Sequence, residues 1–125
     1  MIKGILSAED VKTAQDTGAD AIVISNRGGR QLNFASSTIG LLPEIRKAVG
    51  PDFCVMIDGG FRRGSKIVIA LGLGASGVLL GRAYALGLSA QVQEGVEKTI
   101  SILADQIKLT LKLMGLNSIK ELQAK

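Results

Sequence analysis

The residues best equipped for chemistry are arginines set beside glycine steps. "SNRGGRQL" (Ser25–Leu32) follows the apolar run "DAIVI" and places Gly28-Gly29 between Arg27 and Arg30. "DGGFRRGS" follows the apolar run "FCVMI" and carries Asp58, Gly59, Gly60, Phe61, Arg62 and Arg63. "GR" (Gly81-Arg82) follows "SGVLL", and Lys3 stands near the start of the chain. Glycine lets backbone N–H groups approach an anion closely, and a guanidinium matches carboxylate or phosphate oxygens two at a time. That combination favours an anionic ligand. A second reading stands beside it, because βα turns take glycine wherever φ must be positive. The chain contains no histidine, so no imidazole is available to move a proton near neutral pH. No metal site is expected.

The elements that would hold these residues alternate along the chain. "IKGIL" reads as a short strand. Ser7 begins a helix, with Asp10 three residues on as a variant of the capping box, and Gly18 ends it. "DAIVIS" is a uniformly apolar strand of the buried type. Ile39, Leu41, Leu42, Ile45 and Val49 mark a second helix with an expected break near Pro43, ended by Gly50-Pro51. "FCVMI" is the third strand, "SKIVIALGLG" the third helix and "SGVLLG" the fourth strand. A long helix is expected from about Gln91 to Met114, with Val96, Ile100, Leu103, Ile107, Leu111 and Met114 on its apolar side. Gly115 caps it, and "SIKEL" forms a last short turn.

Apolar strands with helical crossovers predict a parallel α/β sheet in a single domain covering residues 1–125. Four strands cannot close an eight-stranded barrel, so the sheet is either open and doubly wound or half of a barrel. In both arrangements ligands gather at the carboxyl ends of the strands. Those ends carry Lys3, then Ser25 to Arg30, then Asp58 to Arg63, then Gly81 and Arg82.

Composition bounds the rest. The 125 residues carry a formal charge of +4, 46% hydrophobic residues and 3% aromatics. No basic run with interleaved aromatics points to nucleic acid. No apolar stretch is long enough to span a bilayer, and no secretory leader is visible. Cys54, alone on an apolar strand, reads as an inert core thiol and suits a reducing, cytoplasmic compartment.

The stretches "KGILSAEDV", "GADAIVISN", "GGRQL", "LPEIRKAVG", "VMIDGGFRRGS", "ALGLGASGVLLGRAYALGL" and "GVEKTISILADQIKLTLKLMG" together resemble the C-terminal half of the FMN-dependent 2-hydroxy acid oxidases and dehydrogenases, the glycolate and lactate oxidase family. The resemblance spans nearly the whole chain. It implies a (βα)4 half of a TIM barrel, strands five to eight, with a long C-terminal helix. It implies FMN as cofactor, with Lys3 and Ser25 at the flavin, Asp58, Gly59, Gly60, Phe61 and Arg62 along the ribityl and phosphate, and Gly81 and Arg82 completing the phosphate site. Arg30 matches the family's clamp for the substrate carboxylate. Two plainer readings remain open at this point: Lys3 as a solvated lysine, and Asp58 as a capping or salt-bridging residue.

The departures from the family pattern are as telling. Arg27 stands at the place of the catalytic histidine. Arginine has no lone pair to accept a proton and a pKa above about 12. Asn33 and Lys66 each stand where the family has aspartate. Together the three add four positive charges, which is the whole formal excess of +4. The chain by itself is therefore expected to be inactive as an oxidase, with FMN binding weak or absent. Its function is read as a remnant or segment of such an oxidoreductase, or as a half-barrel assembly module without a ligand. A half-barrel would leave two open sheet edges and a large apolar inner face, so a homodimer, or pairing with an N-terminal half-barrel, is expected.

Overall fold

The computed structural model describes residues 1–124. Its four strands are β1 (Ile2–Ile5), β2 (Ala21–Ile24), β3 (Cys54–Ile57) and β4 (Gly77–Val78), all parallel and in the spatial order β1-β2-β3-β4. That order settles the choice between the two architectures. Right-handed crossovers between successive neighbours put every connecting helix on the same face, whereas a doubly wound sheet reverses its strand order partway. The sheet is singly wound, as a barrel segment must be.

Register sorts the side chains between faces. Ile22 pairs with Val55, and Ile24 with Ile57. All four are fully buried, with Val11, Leu42, Ile45 and Val68 in the same cluster under the helices α1 (Ala8–Asp16), α2 (Thr38–Val49) and α3 (Gly64–Gly72). The alternate row, Lys3, Val23, Met56 and Gly77, faces the other way. On this inner face Val23 and Ala21 are buried, Lys3 is exposed, and Cys54, Met56 and Gly77 are half-buried. Met56 lies across Gly77, where a Cβ would come within 2.8 Å of its Cε. Cys54 is free and half-buried at the start of β3.

Helix ends follow their local chemistry. Ser7 Oγ accepts the Asp10 N–H at 3.1 Å, which is the N-cap half of the expected box. Helix α3 begins with Arg63 as a cap that makes no side-chain hydrogen bond and with Lys66 in its first turn. Gln106 Oε1 substitutes for the missing cap by accepting the Gly64 N–H at 2.7 Å. The approach is so close that a Cβ on Gly64 would meet Ile107 N at 2.6 Å.

One helix expectation is corrected. Helix α2 runs unbroken through Pro43. The proline lies on the exposed side, where water can take the carbonyl left without a donor. The long helix expected from about Gln91 is present from residue 93, and a further helical limb precedes it. Helix α4 spans Arg82–Leu113 and bends back at Gln91 (φ −146°) and Val92 (φ 45°, ψ −122°). The two limbs, 82–90 and 93–113, meet backbone to backbone at Gly87 and Gly95, where a Cβ on Gly95 would lie 1.9 Å from Gly87 O. Its periodic apolar positions are unevenly used: Leu103 and Leu111 are buried, while Ile100 and Met114 are exposed. Many of the large apolar side chains left in solvent lie on these limbs, among them Leu86, Leu88, Val92 and Ile102, while Leu32 and Phe34 are exposed in the β2 loop. A short helix, α5 (Ile119–Gln123), closes the chain, capped by Ser118 Oγ accepting the Glu121 N–H.

At the amino ends of the strands, Arg46 ties two loops together. Its NH1 donates to Gly50 O at 2.8 Å and Phe53 O at 2.7 Å, and its NH2 donates to Gly74 O at 2.6 Å. Burial pulls its pKa below the usual arginine value; the neighbouring carbonyl dipoles offset the cost of keeping it charged.

Arg46→Ala should strip these carbonyls of their donor and lower stability by about 2 kcal/mol, after discounting for the water that reaches part of the site. Chemical denaturation would measure it, and an unchanged midpoint would refute the role. Val92→Gly should act in the opposite sense. Its backbone occupies a region that suits glycine and strains a β-branched residue, and the exposed side chain loses little packing. A gain of about 1 kcal/mol is expected, read as a higher Tm.

Candidate functional site

The carboxyl ends of the strands surround a cleft of about 950 Å3, within the size range of cofactor pockets. Each strand delivers its residues at one level because β2 and β3 pair without a slip from Ala21↔Cys54 to Ile24↔Ile57. Beyond that last pair the loops begin together. Asp58 N–H donates to Ile24 O at 3.0 Å, extending the ladder one step.

The β2 loop is held by its own side chains. Ser25 Oγ accepts the Arg27 N–H at 3.2 Å and Asn26 Oδ1 accepts the Gly28 N–H at 3.1 Å. These Asx- and serine-type turns set a single 3₁₀ turn over Arg27–Gly29, with positive φ at Arg27 (53°), Gly28 (70°) and Gly29 (71°). Arg30 Nε donates back to Arg27 O at 3.3 Å. Arg82, at the start of α4, reaches across so that its NH2 lies 3.5 Å from Gly28 O.

The β3 loop is tied to the rest through Asp58. Its carbonyl accepts the Thr38 hydroxyl at 2.7 Å, and its Oδ2 forms an ion pair with Lys3 Nζ. Lys3 is thus a partner of Asp58 rather than a lysine pointing freely into solvent, and the salt-bridging reading of Asp58 holds. Its other oxygen, Oδ1, is buried without a hydrogen-bond partner. Gly59 (φ 106°) sits so close beneath that a Cβ would meet Thr38 Oγ1 at 3.0 Å and Asn26 Oδ1 at 3.2 Å.

Of the residues singled out from sequence, Lys3, Arg27, Arg30, Asp58, Gly59, Gly60, Phe61, Arg62, Gly81 and Arg82 all line the cleft. Phe61 does so from the core, being 5% exposed. Ser25 does not line it. It is buried beneath the loop, with its hydroxyl engaged by Arg27 N–H. Gly28 of the β2 loop lines the cleft as expected, and the cleft also recruits residues not anticipated: Gln31, Leu79, Leu80 and the first turn of α4, Ala83 to Ala85. Tyr84 among them is partly exposed. The sequence carries one signal for it, the apolar run that follows Gly81.

The cleft suits FMN on its own terms. Five cationic side chains face one carboxylate. No atom lies within 4 Å of a Cβ position on Gly60 or Gly81, so a phosphate could approach the backbone there. Gly81 leaves the first turn of α4 without a side-chain cap, so its N–H groups are free to face an anion. The orphaned Asp58 Oδ1 is an acceptor awaiting a donor such as a ribityl hydroxyl. Among the described residues no cluster of three or more His, Cys, Asp or Glu could hold a metal ion, and no helix is long and apolar enough to cross a membrane.

Gly59→Ala should break the Thr38–Asp58 contact and force a strained φ. A loss of about 2 kcal/mol is expected. Retention of wild-type Tm would show that the loop can relax without cost.

Comparison with known proteins agrees with this geometry. The chain is 47% identical over 124 residues to the L-lactate dehydrogenase of Pseudomonas syringae pv. syringae (strain B728a), covering 99% of this chain and 33% of that protein. It is 41% identical over 122 residues to the glycolate oxidase of Spinacia oleracea, covering 98% of this chain and 33% of that protein. A solved mandelate oxidase mutant carrying a monooxide FMN adduct superposes with a TM-score of 0.92 at 41% identity, over 98% of this chain and 39% of that one. An active mutant of (S)-mandelate dehydrogenase superposes with a TM-score of 0.92 at 45% identity, over 97% and 34%. The chain spans about a third of the length of the curated relatives it matches. Residues 1–125 match the sequence profile described as FMN-dependent dehydrogenase, and the chain belongs to that family.

Proposed function

We propose that this chain forms the phosphate- and ribityl-binding half of an FMN site in a 2-hydroxy acid oxidoreductase framework, and that it has lost the proton-accepting step. The observation that carries the reading is the convergence of Asp58, Gly60, Arg62, Gly81 and Arg82 on one cleft, with Asp58 Oδ1 left unpartnered. Bound FMN would supply the electron acceptor. Arg62 and Arg82 would pair with its phosphate, the α4 N–H groups would donate to the same anion, and Asp58 Oδ1 would accept from a hydroxyl. Lys3, held by Asp58, supplies positive charge at the edge where the reduced ring would carry negative charge.

The missing step follows from residue chemistry. A 2-hydroxy acid must lose its hydroxyl proton as electrons leave Cα, and the acceptor of that proton must have a free lone pair. Arg27 lines the cleft at the position the family resemblance gives to histidine, and a guanidinium has none. The single carboxylate lining the cleft, Asp58, is engaged by Lys3. Arg30 can still bind a substrate carboxylate, so binding without turnover is the expected state. Completion of the ring site falls to a second half-barrel or a second copy of this chain, supported by the apolar limbs of α4. An unpaired cysteine suits a cytoplasmic setting.

FMN fluorescence titrated with protein should be quenched. An Arg62→Gln, Arg82→Gln double variant should weaken binding at least about tenfold. Unchanged flavin fluorescence at the highest protein concentration would remove the cofactor reading. Under anaerobic conditions, lactate or glycolate should not bleach the flavin above a protein-free control, and bleaching would overturn the inactivity.

A further inference from the structure

We infer that the Arg27–Arg30 edge of the cleft is a clamp for a small dicarboxylate, with Arg27 as the second cation. Arg82, assigned above to the phosphate, reaches the same loop with its NH2 3.5 Å from Gly28 O; the inference concerns the two arginines of the loop itself and stands whether or not FMN binds. Its basis is an unbalanced pair of guanidiniums in a fixed loop. The Arg27 head group lies against the end of β1, with NH2 and Nε 3.6 and 3.8 Å from the Cβ position of Gly4. Arg30 Nε donates to the Arg27 main-chain carbonyl. The turn carrying both is held by Ser25 and Asn26, and both side chains line the same cleft.

Neither arginine has an acidic partner. Among the described residues the ion pairs are Lys3–Asp58 and Lys108–Asp105. The cleft's one carboxylate is therefore already matched to Lys3, which leaves Arg27 and Arg30 facing open space. A monocarboxylate can satisfy one guanidinium in a two-pronged bond and leaves the other unmatched. Two carboxylates a few bonds apart satisfy both. A single negative charge also leaves the Arg27–Arg30 repulsion partly uncompensated, whereas a dianion cancels it. The residue that removes the oxidase base thus changes what the same mouth recognises, from one carboxylate to two.

Malonate and malonamate share size and shape and differ by one charge, so they isolate this effect. Isothermal titration calorimetry of the full chain, with and without saturating FMN, should show malonate binding about tenfold tighter than malonamate. Arg27→Gln should erase the preference while leaving malonamate affinity nearly unchanged. Arg27→Lys should keep part of it, as a point charge without the fork. Unchanged circular dichroism and Tm would show that the variants are folded, and Arg30→Gln offers a second route to the same loss. Equal affinity for the two probes, no binding of either, or a preference that survives Arg27→Gln would overturn the inference. Flavin fluorescence in the same samples reports FMN binding separately. Failure of the flavin to bind therefore counts against the cofactor reading and leaves the malonate comparison standing.

Discussion

Asp58 is the joint on which the mouth of this fold depends. Its N–H extends the β2–β3 ladder to Ile24, its carbonyl anchors Thr38 at the start of α2, and its carboxylate holds the side chain of Lys3 from within β1. One residue therefore ties three strands and a helix together at the level where the loops depart. The glycine that follows it must be a glycine, because Thr38 and Asn26 occupy the space a side chain would need. The loop carrying Arg62 is aimed by this joint. The mouth is rigid on this side before any ligand arrives, which lowers the ordering cost of binding.

The β2 loop is built differently. It has no ladder to extend and uses Ser25 and Asn26 to satisfy its own N–H groups. Ser25 is consumed in that task, although the family resemblance suggests a direct contact with flavin. Stability and recognition thus compete for the same hydroxyl. The turn it supports brings an arginine into positive φ at Arg27, a conformation that costs a non-glycine residue energy. The cleft is strongly cationic because five cations, Arg27 among them, surround a single carboxylate that Lys3 already pairs.

Much of this was legible in the residues. The four apolar runs became four parallel strands, and the charged glycine loops after them converged, because short-range pattern and chain order determine both. What stayed hidden depended on contacts between distant segments. Arg46 looks like an ordinary exposed helix arginine, and nothing in its neighbourhood says that the carbonyls of Gly50, Phe53 and Gly74 will gather round it. Gln106 capping α3 is equally non-local. The hairpin in α4 was missed because its cause is a backbone contact between Gly87 and Gly95, and glycines carry no hydrophobic signal. Pro43 misled in the other direction, since a proline on a solvated helix face need not end the helix.

Arg46 sits at the far end of the strands from the cleft. It secures the lower loops through main-chain carbonyls, which every residue type possesses. Its hold is therefore indifferent to the side chains chosen at the mouth. Exposed side chains such as Arg27 and Arg30 can therefore differ without loosening the far pole, whereas Asp58 and Gly59 are fixed by the joint they form.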